Sequence, residues 1–457
     1  MTGVAKVGDA AGQWLRLIIA TATLALLAIT SGPVSAAPAS VSGLHQGVAS
    51  CGGTTCHGRQ EATGPRVRQN ELLTWANPAS LTGAHSRAWK LLREPRARAI
   101  GQRLGIADVS QSAECIACHG DPAPRRGPQW QQADGVGCEA CHGGSVNWLA
   151  SHAAVGASHR DNVARGMWDV ARPAVRAAVC LDCHFGSDKP GQFVTHRIMA
   201  AGHPRIAFEL DLFTSLQSHH DEDADYAARK GVADGVKTWA IGQALAVKRT
   251  LALYPARSGG TFPEFYFYDC RSCHRSFSDD PAVALMARTN PGRPIPPGQP
   301  VWNDESLIML GAAAKVAAPA LAPQLAARSR AFHVSLGGDR AGALRAAAAL
   351  SATTNQLAAA FETARFDKAQ TLAMIDAVLV GNAAAYTDYQ GGAQAVMAAD
   401  TLVSALVTAH QVDRAAALAI RPDLDRAYAA ARDANRWQPA EFRAALAGVA
   451  AKVRALR

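Results

Sequence analysis

Ten cysteines fall into five pairs, and a histidine follows the second cysteine of every pair. Four pairs read Cys-x-x-Cys-His: Cys115-Ile-Ala-Cys118-His119, Cys138-Glu-Ala-Cys141-His142, Cys180-Leu-Asp-Cys183-His184 and Cys270-Arg-Ser-Cys273-His274. The fifth, Cys51-Gly-Gly-Thr-Thr-Cys56-His57, keeps that ending with a longer spacer. Two thiols about one turn apart can add to the two vinyl groups of one haem, and the next imidazole then reaches the iron. Zinc would account for paired thiols, but not for a histidine after all five of them. A redox Cys-x-x-Cys belongs near a βαβ pattern, and none is visible. The spacing therefore predicts five covalent haem c groups on these ten cysteines, with His57, His119, His142, His184 and His274 as iron ligands. At Cys51 and Cys56 a structural disulfide is the competing reading. Two glycines in that spacer let it bulge while both sulfurs keep their vinyl contacts.

Porphyrins replace much of a side-chain core, so residues 37–285 are expected to form a pentahaem domain of helices and loops. Asn290-Pro291-Gly292-Arg293-Pro294-Ile295-Pro296-Pro297-Gly298 gives residues 286–300 the composition of a stiff linker. Beyond it, 49 of the last 157 residues are alanine and none is cysteine. Alanine packs helices closely, so residues 301–457 are expected to form a helical bundle against the haem domain. Asp339 is placed to cap a helix running to about Arg365, and Asp367 to cap a second. Gln394–His410 and Gln438–Leu456 suggest two more, and Val232–Leu253 another before the linker. The fold class is mainly α: a multihaem cytochrome c domain with little regular sheet, then an alanine-rich helical bundle.

Residues 1–36 have the pattern of an export signal. Lys6 and Arg16 precede the uncharged run Leu17–Thr30, and Val34-Ser35-Ala36 is a small-residue cleavage site. Fourteen helical residues span about 21 Å, short of the roughly 30 Å hydrocarbon core. No second run of spanning length follows, so the mature chain is expected to be periplasmic and soluble. The formal charge of +9 would raise nucleic acid as a partner. The basic residues are scattered, however, and five haems with ionised propionates would bring the mature protein to about +3. Nucleic acid is not expected as a partner.

Eight of the ten remaining histidines lie within residues 37–285. His196 and His203 stand seven residues apart; in a helix they would leave one face about 10.5 Å apart, too far for one iron and suited to two haems. Pro204 disfavours α-conformation at His203, so the second ligand falls where the helix ends. His152 and His159 repeat this spacing, but Gly156 weakens the helix between them, and His152 is the favoured ligand. His85 opens an apolar helix containing Ala88, Trp89, Leu91 and Leu92. His219 and His220 are neighbours about 100° apart on a helix, so at most one of them is expected to bind. His45 and His159 are not favoured, and His333 and His410 read as packing or surface residues.

These segments resemble the cytochrome c554-like multihaem cytochromes, whose haem packing is similar to that of hydroxylamine oxidoreductase and the pentahaem nitrite reductases. The matching stretches are Gly47–Cys51 through Cys56-His57-Gly58, Gly135–Gly143, His196–Pro204 with Phe208-Glu209-Leu210, and Phe262–Phe265 leading into Cys270. The resemblance implies mostly bis-histidine haems in close pairs, with ligands from remote sequence, and it carries onto His85, His152, His196, His203 and, less firmly, His219. No Cys-x-x-Cys-Lys motif of the nitrite-reductase active site occurs. The chain therefore reads first as an electron carrier serving redox partner proteins, quinol-linked or other cytochromes. The alternatives are an enzyme acting on a small nitrogen or sulfur compound at one open haem, and a haem-based sensor or binding subunit.

Overall fold

The computed structural model describes residues 43–61, 68–257, 263–274 and 290–457. The expected leader, residues 1–36, lies outside them, as do the first residues of the expected linker. The architecture is helical. Its one described sheet is a parallel pair of two-residue strands, Leu44–His45 with Arg125–Arg126. Among the described residues no helix is long and apolar enough to cross a membrane.

Haem-motif residues occupy short elements. Cys115-x-x-Cys118-His119 closes the helix Ala113–His119, Cys138-x-x-Cys141-His142 forms the helix Cys138–His142, and Cys180-x-x-Cys183-His184 ends the helix Pro173–His184. Cys270 opens a 3₁₀ turn, Cys270–Ser272. The longer first motif instead folds back on itself, with His57 N donating to Cys51 O at 3.1 Å and Gly58 N to Gly53 O at 3.1 Å. A Cβ at Gly58 would run into the carbonyl of Gly52, so only glycine permits this closed turn.

The helix carrying His196 is shorter than the spacing predicts. It spans His196–Ala200, capped by the Thr195 hydroxyl, which accepts from Ile198 N. Gly202, at φ +111°, ends it in the left-handed region, and His203 lies beyond. The two imidazoles thus diverge where a continuous helix would have kept them on one face.

The alanine-rich helices follow their caps. Asp339 Oδ1 accepts from Gly342 N at 2.7 Å and opens Arg340–Thr363; Asp367 and Gln370 form a capping box that opens Lys368–Asp376. Tyr389–Thr408 and Pro439–Arg454 occupy the stretches read as the last two helices. The central member of this layer comes from before the linker. Gly235–Ala256, capped by Asp234, is buried along most of its length. It packs against Arg340–Thr363, Glu305–Ala317 and Tyr389–Thr408. Its Trp239 and Ile241 share one apolar core with Met309, Leu350, Leu402 and Phe442.

Residues 290–300 are pinned to this body as well. The Arg293 guanidinium pairs with buried Asp304 and donates to Ala385 O at 3.1 Å. On the other side, Gln394 Nε2 donates to Phe208 O at 2.7 Å and Thr401 Oγ1 to buried Glu209 at 2.7 Å. The haem-motif half and the alanine-rich half are therefore joined through shared buried groups.

Candidate metal centres

None of the ten motif cysteines is in a disulfide; Cys56 and Cys273 are exposed and the other eight half-buried. Each motif histidine faces a second histidine from elsewhere in the chain. Ring centroids stand 6.2 Å apart for His57 and His152, for His119 and His203, and for His184 and His85. They stand 5.9 Å apart for His274 and His196. His142 faces two neighbours, His219 at 6.2 Å and His220 at 6.3 Å. These are the five distal candidates of the sequence, each brought to a different motif, with His220 in addition. His196 and His203 face different motifs.

An iron held at about 2 Å by a nitrogen from each side would set two imidazole centroids roughly 6.3 Å apart, so every pair has room for one metal between its rings. In five of these rings the other nitrogen agrees with this orientation, whereas His184 Nδ1 is buried without a partner. Nδ1 donates to a backbone carbonyl in His119 (Ala88 O, 2.9 Å), His152 (Leu149 O, 2.5 Å), His203 (Pro204 O, 2.8 Å) and His219 (Gln217 O, 3.1 Å). In His57 the acceptor is Glu71 Oε2, at 2.9 Å. A hydrogen bond at Nδ1 fixes the tautomer and leaves the Nε2 lone pair for a metal.

Burial favours the neutral form of five of these rings. Burial, helped by His219 and His220, pushes His142 down to about 3; burial and then His85 push His184 to about 3. Burial and His220 bring His219 to about 4, and burial also lowers His85 and His203. A neutral imidazole is the form that binds iron. His57 shifts upward, because Glu71 accepts its proton, against the effect of burial. Burial works against the Glu71 carboxylate, but hydrogen bonds from His220 and His57 outweigh it and hold its pKa well below the usual range.

The motifs also touch one another. The thiols of Cys51 and Cys138 are neighbours, as are those of Cys118 and Cys183, and Cys141 lies within electrostatic reach of Cys180. Cys183 Sγ also approaches Ala117 O at 3.9 Å. The first site thus adjoins the third, the third the fourth, and the fourth the second. The segment His196–His203 then links the second to the fifth.

Several supporting residues carry no sequence signature. Glu264 Oε1 accepts from His196 N at 2.8 Å and so aims the fifth site's second histidine. Phe208 stacks on His184, centroids 4.5 Å apart. Glu139, inside the third motif, accepts from the backbone N–H groups of Gln46, Gly47 and Ser145, which anchors the first strand beneath that motif. Buried His45 gives Nδ1 to Asp121 at 2.8 Å and faces no motif histidine. His159 pairs with Asp169 at 3.0 Å, buried His333 with Asp304 at 3.2 Å, and His410 is exposed.

No curated protein and no solved structure matches the chain. Residues 54–143, which run from within the first motif to the end of the third, match the family model described as cytochrome c554 and c-prime. With thiol pairs, following histidines and facing imidazoles in place, this match supports a cytochrome c554-like c-type cytochrome that binds haem c covalently and transfers electrons.

Proposed function

We propose that the protein carries five covalent haem c groups, each held between two histidines, and passes electrons along them between redox partner proteins. The pairs are His57 with His152, His119 with His203, His142 with His219, His184 with His85, and His274 with His196. The thiols that would anchor them are Cys51 and Cys56, Cys115 and Cys118, Cys138 and Cys141, Cys180 and Cys183, and Cys270 and Cys273. The observation that carries this reading is the facing of every motif histidine by a second imidazole at 5.9–6.2 Å. Bound haem would supply an iron that cycles between ferric and ferrous states. Two fixed nitrogen ligands keep an iron six-coordinate in both states, so little reorganisation would accompany a transfer. Adjoining motifs in the order first, third, fourth, second, fifth support a continuous route, and the exposed thiols Cys56 and Cys273 fall at its two ends.

Residues 1–36 are read as an export leader that delivers the chain to the periplasm, with an N-terminus at Ala37 as its test. The haem-bearing part is 37–285, the linker 286–300 and the alanine-rich part 301–457. The decisive experiment is intact mass of the purified holoprotein together with its electron paramagnetic resonance. Five haems, low-spin ferric signals alone and no rapid carbon monoxide binding after reduction are expected. Four haems with a Cys51–Cys56 disulfide would remove the first site. One stoichiometric high-spin haem that binds carbon monoxide quickly would replace the carrier by the enzyme reading, because a substrate needs an open iron position.

A further inference from the structure

Glu71 touches histidines of two different sites. Its Oε2 accepts from His57 Nδ1 at 2.9 Å, and its Oε1 lies 3.4 Å from His220 Nδ1. The backbone fixes this bridge from both ends. Leu72 N donates to His57 O at 2.9 Å, which ties the start of the helix Glu71–Trp75 to the first motif. Asn70 Nδ2 donates to Asp221 Oδ2 at 3.4 Å, and Arg68 pairs with Asp223, which ties the same segment to the chain just after His220.

His219 and His220 compete for one position. Their rings are 4.3 Å apart, and both face His142. An iron accepts one ligand on that side. Gln217 O holds His219 Nδ1, whereas His220 leans on Glu71 and stacks against Tyr226, centroids 6.2 Å apart.

Resting on the bis-histidine reading above, we propose that Glu71 is a positioning residue for two haem sites: it strengthens His57 as a ligand of the first and holds His220 aside so that His219 closes the third. An anionic acceptor on Nδ1–H pushes electron density onto the ring and favours the ferric iron. The backbone carbonyl that serves His119 does this less, so the first site is set to a lower potential than a carbonyl-supported site would have. At the third site the same carboxylate selects one of two adjacent imidazoles.

The test uses the full-length holoprotein in redox titrations followed by visible and paramagnetic resonance spectra. In Glu71→Gln, one of the five transitions moves to higher potential and the other four stay. His152→Met displaces that same transition, which identifies it as the first site. In Glu71→Ala the third haem splits into two low-spin species, and adding His220→Ala collapses them to one. Five unmoved transitions, or five that move together as in a loosened fold, would overturn the proposal for the first site. A single unchanged low-spin species in Glu71→Ala would overturn it for the third. Haem count and carbon monoxide binding of the wild-type protein report on the five-site reading separately, so its failure cannot be mistaken for that of Glu71.

Discussion

Asp304 is enclosed between Arg293 and His333, and its carboxylate is buried. Burial alone would raise its pKa, but Arg293 and then His333 overcome this and hold it below the ordinary aspartate range. A carboxylate depressed in the folded state stabilises above its unfolded value of about 3.9 and loses that contribution as pH falls through the folded value. Asp304→Asn is expected to cost about 3–5 kcal/mol at pH 7, because it strands a buried guanidinium. Denaturant unfolding at pH 7 and below pH 4 checks this: the deficit relative to wild type should shrink on acidification, and a deficit independent of pH would refute the charge argument. Residues of this kind were not legible in the sequence. An acid in a loop reads as solvated charge until the fold buries it, and the same holds for Glu71, Glu139 and Glu264. The motif cysteines and histidines were legible because their chemistry demands a local spacing. The second histidines could be picked out, but not paired, since pairing depends on contacts between remote segments.

Short elements turn the side chains that matter, and the His196–His203 segment shows how. Gly202 turns the chain so that His203 goes to the second site and His196 to the fifth. Gly202→Ala would force a Cβ into a left-handed conformation at a cost of about 1–3 kcal/mol. It should perturb the spectrum of one haem, the partner of His119, and leave the partner of His274 unchanged. His196→Met and His203→Met should likewise alter two different haems, and resolved spectra that report one haem for both would contradict the pairing. The sequence overestimated this helix because the seven-residue spacing fits helical geometry and Pro204 allowed it to reach His203, while Gly202 was given no weight. It read the bundle helices closely because Asp339 and Asp367 act through hydrogen bonds three residues away.

Across the whole molecule, Gly235–Ala256 decides how the two halves behave. Trp239, wholly buried on that helix, lies in the core shared with Leu310 and Phe361. Trp239→Ala is expected to cost about 3–5 kcal/mol. Thermal unfolding followed by haem absorbance and by far-ultraviolet dichroism should shift together, as one cooperative transition. Two separated transitions would mean that the haem part and the alanine-rich part stand independently. The helix was read correctly as a helix, but its place in the bundle was not legible, since it lies before a stretch with the composition of a linker. The histidine pairs add a constraint of another kind. Each joins residues roughly 80–100 positions apart, and the spans overlap in sequence like shingles, from 57–152 through 85–184, 119–203 and 142–219 to 196–274. Loop entropy varies only as the logarithm of length, so the five closures cost nearly the same, and none has a head start. As the chain emerges from its N-terminus, each new clasp begins within the span of the one before it. With the proposed pairing, the first site could not be locked until about a third of the protein had been made, and the last lock would fall only when His274 arrived.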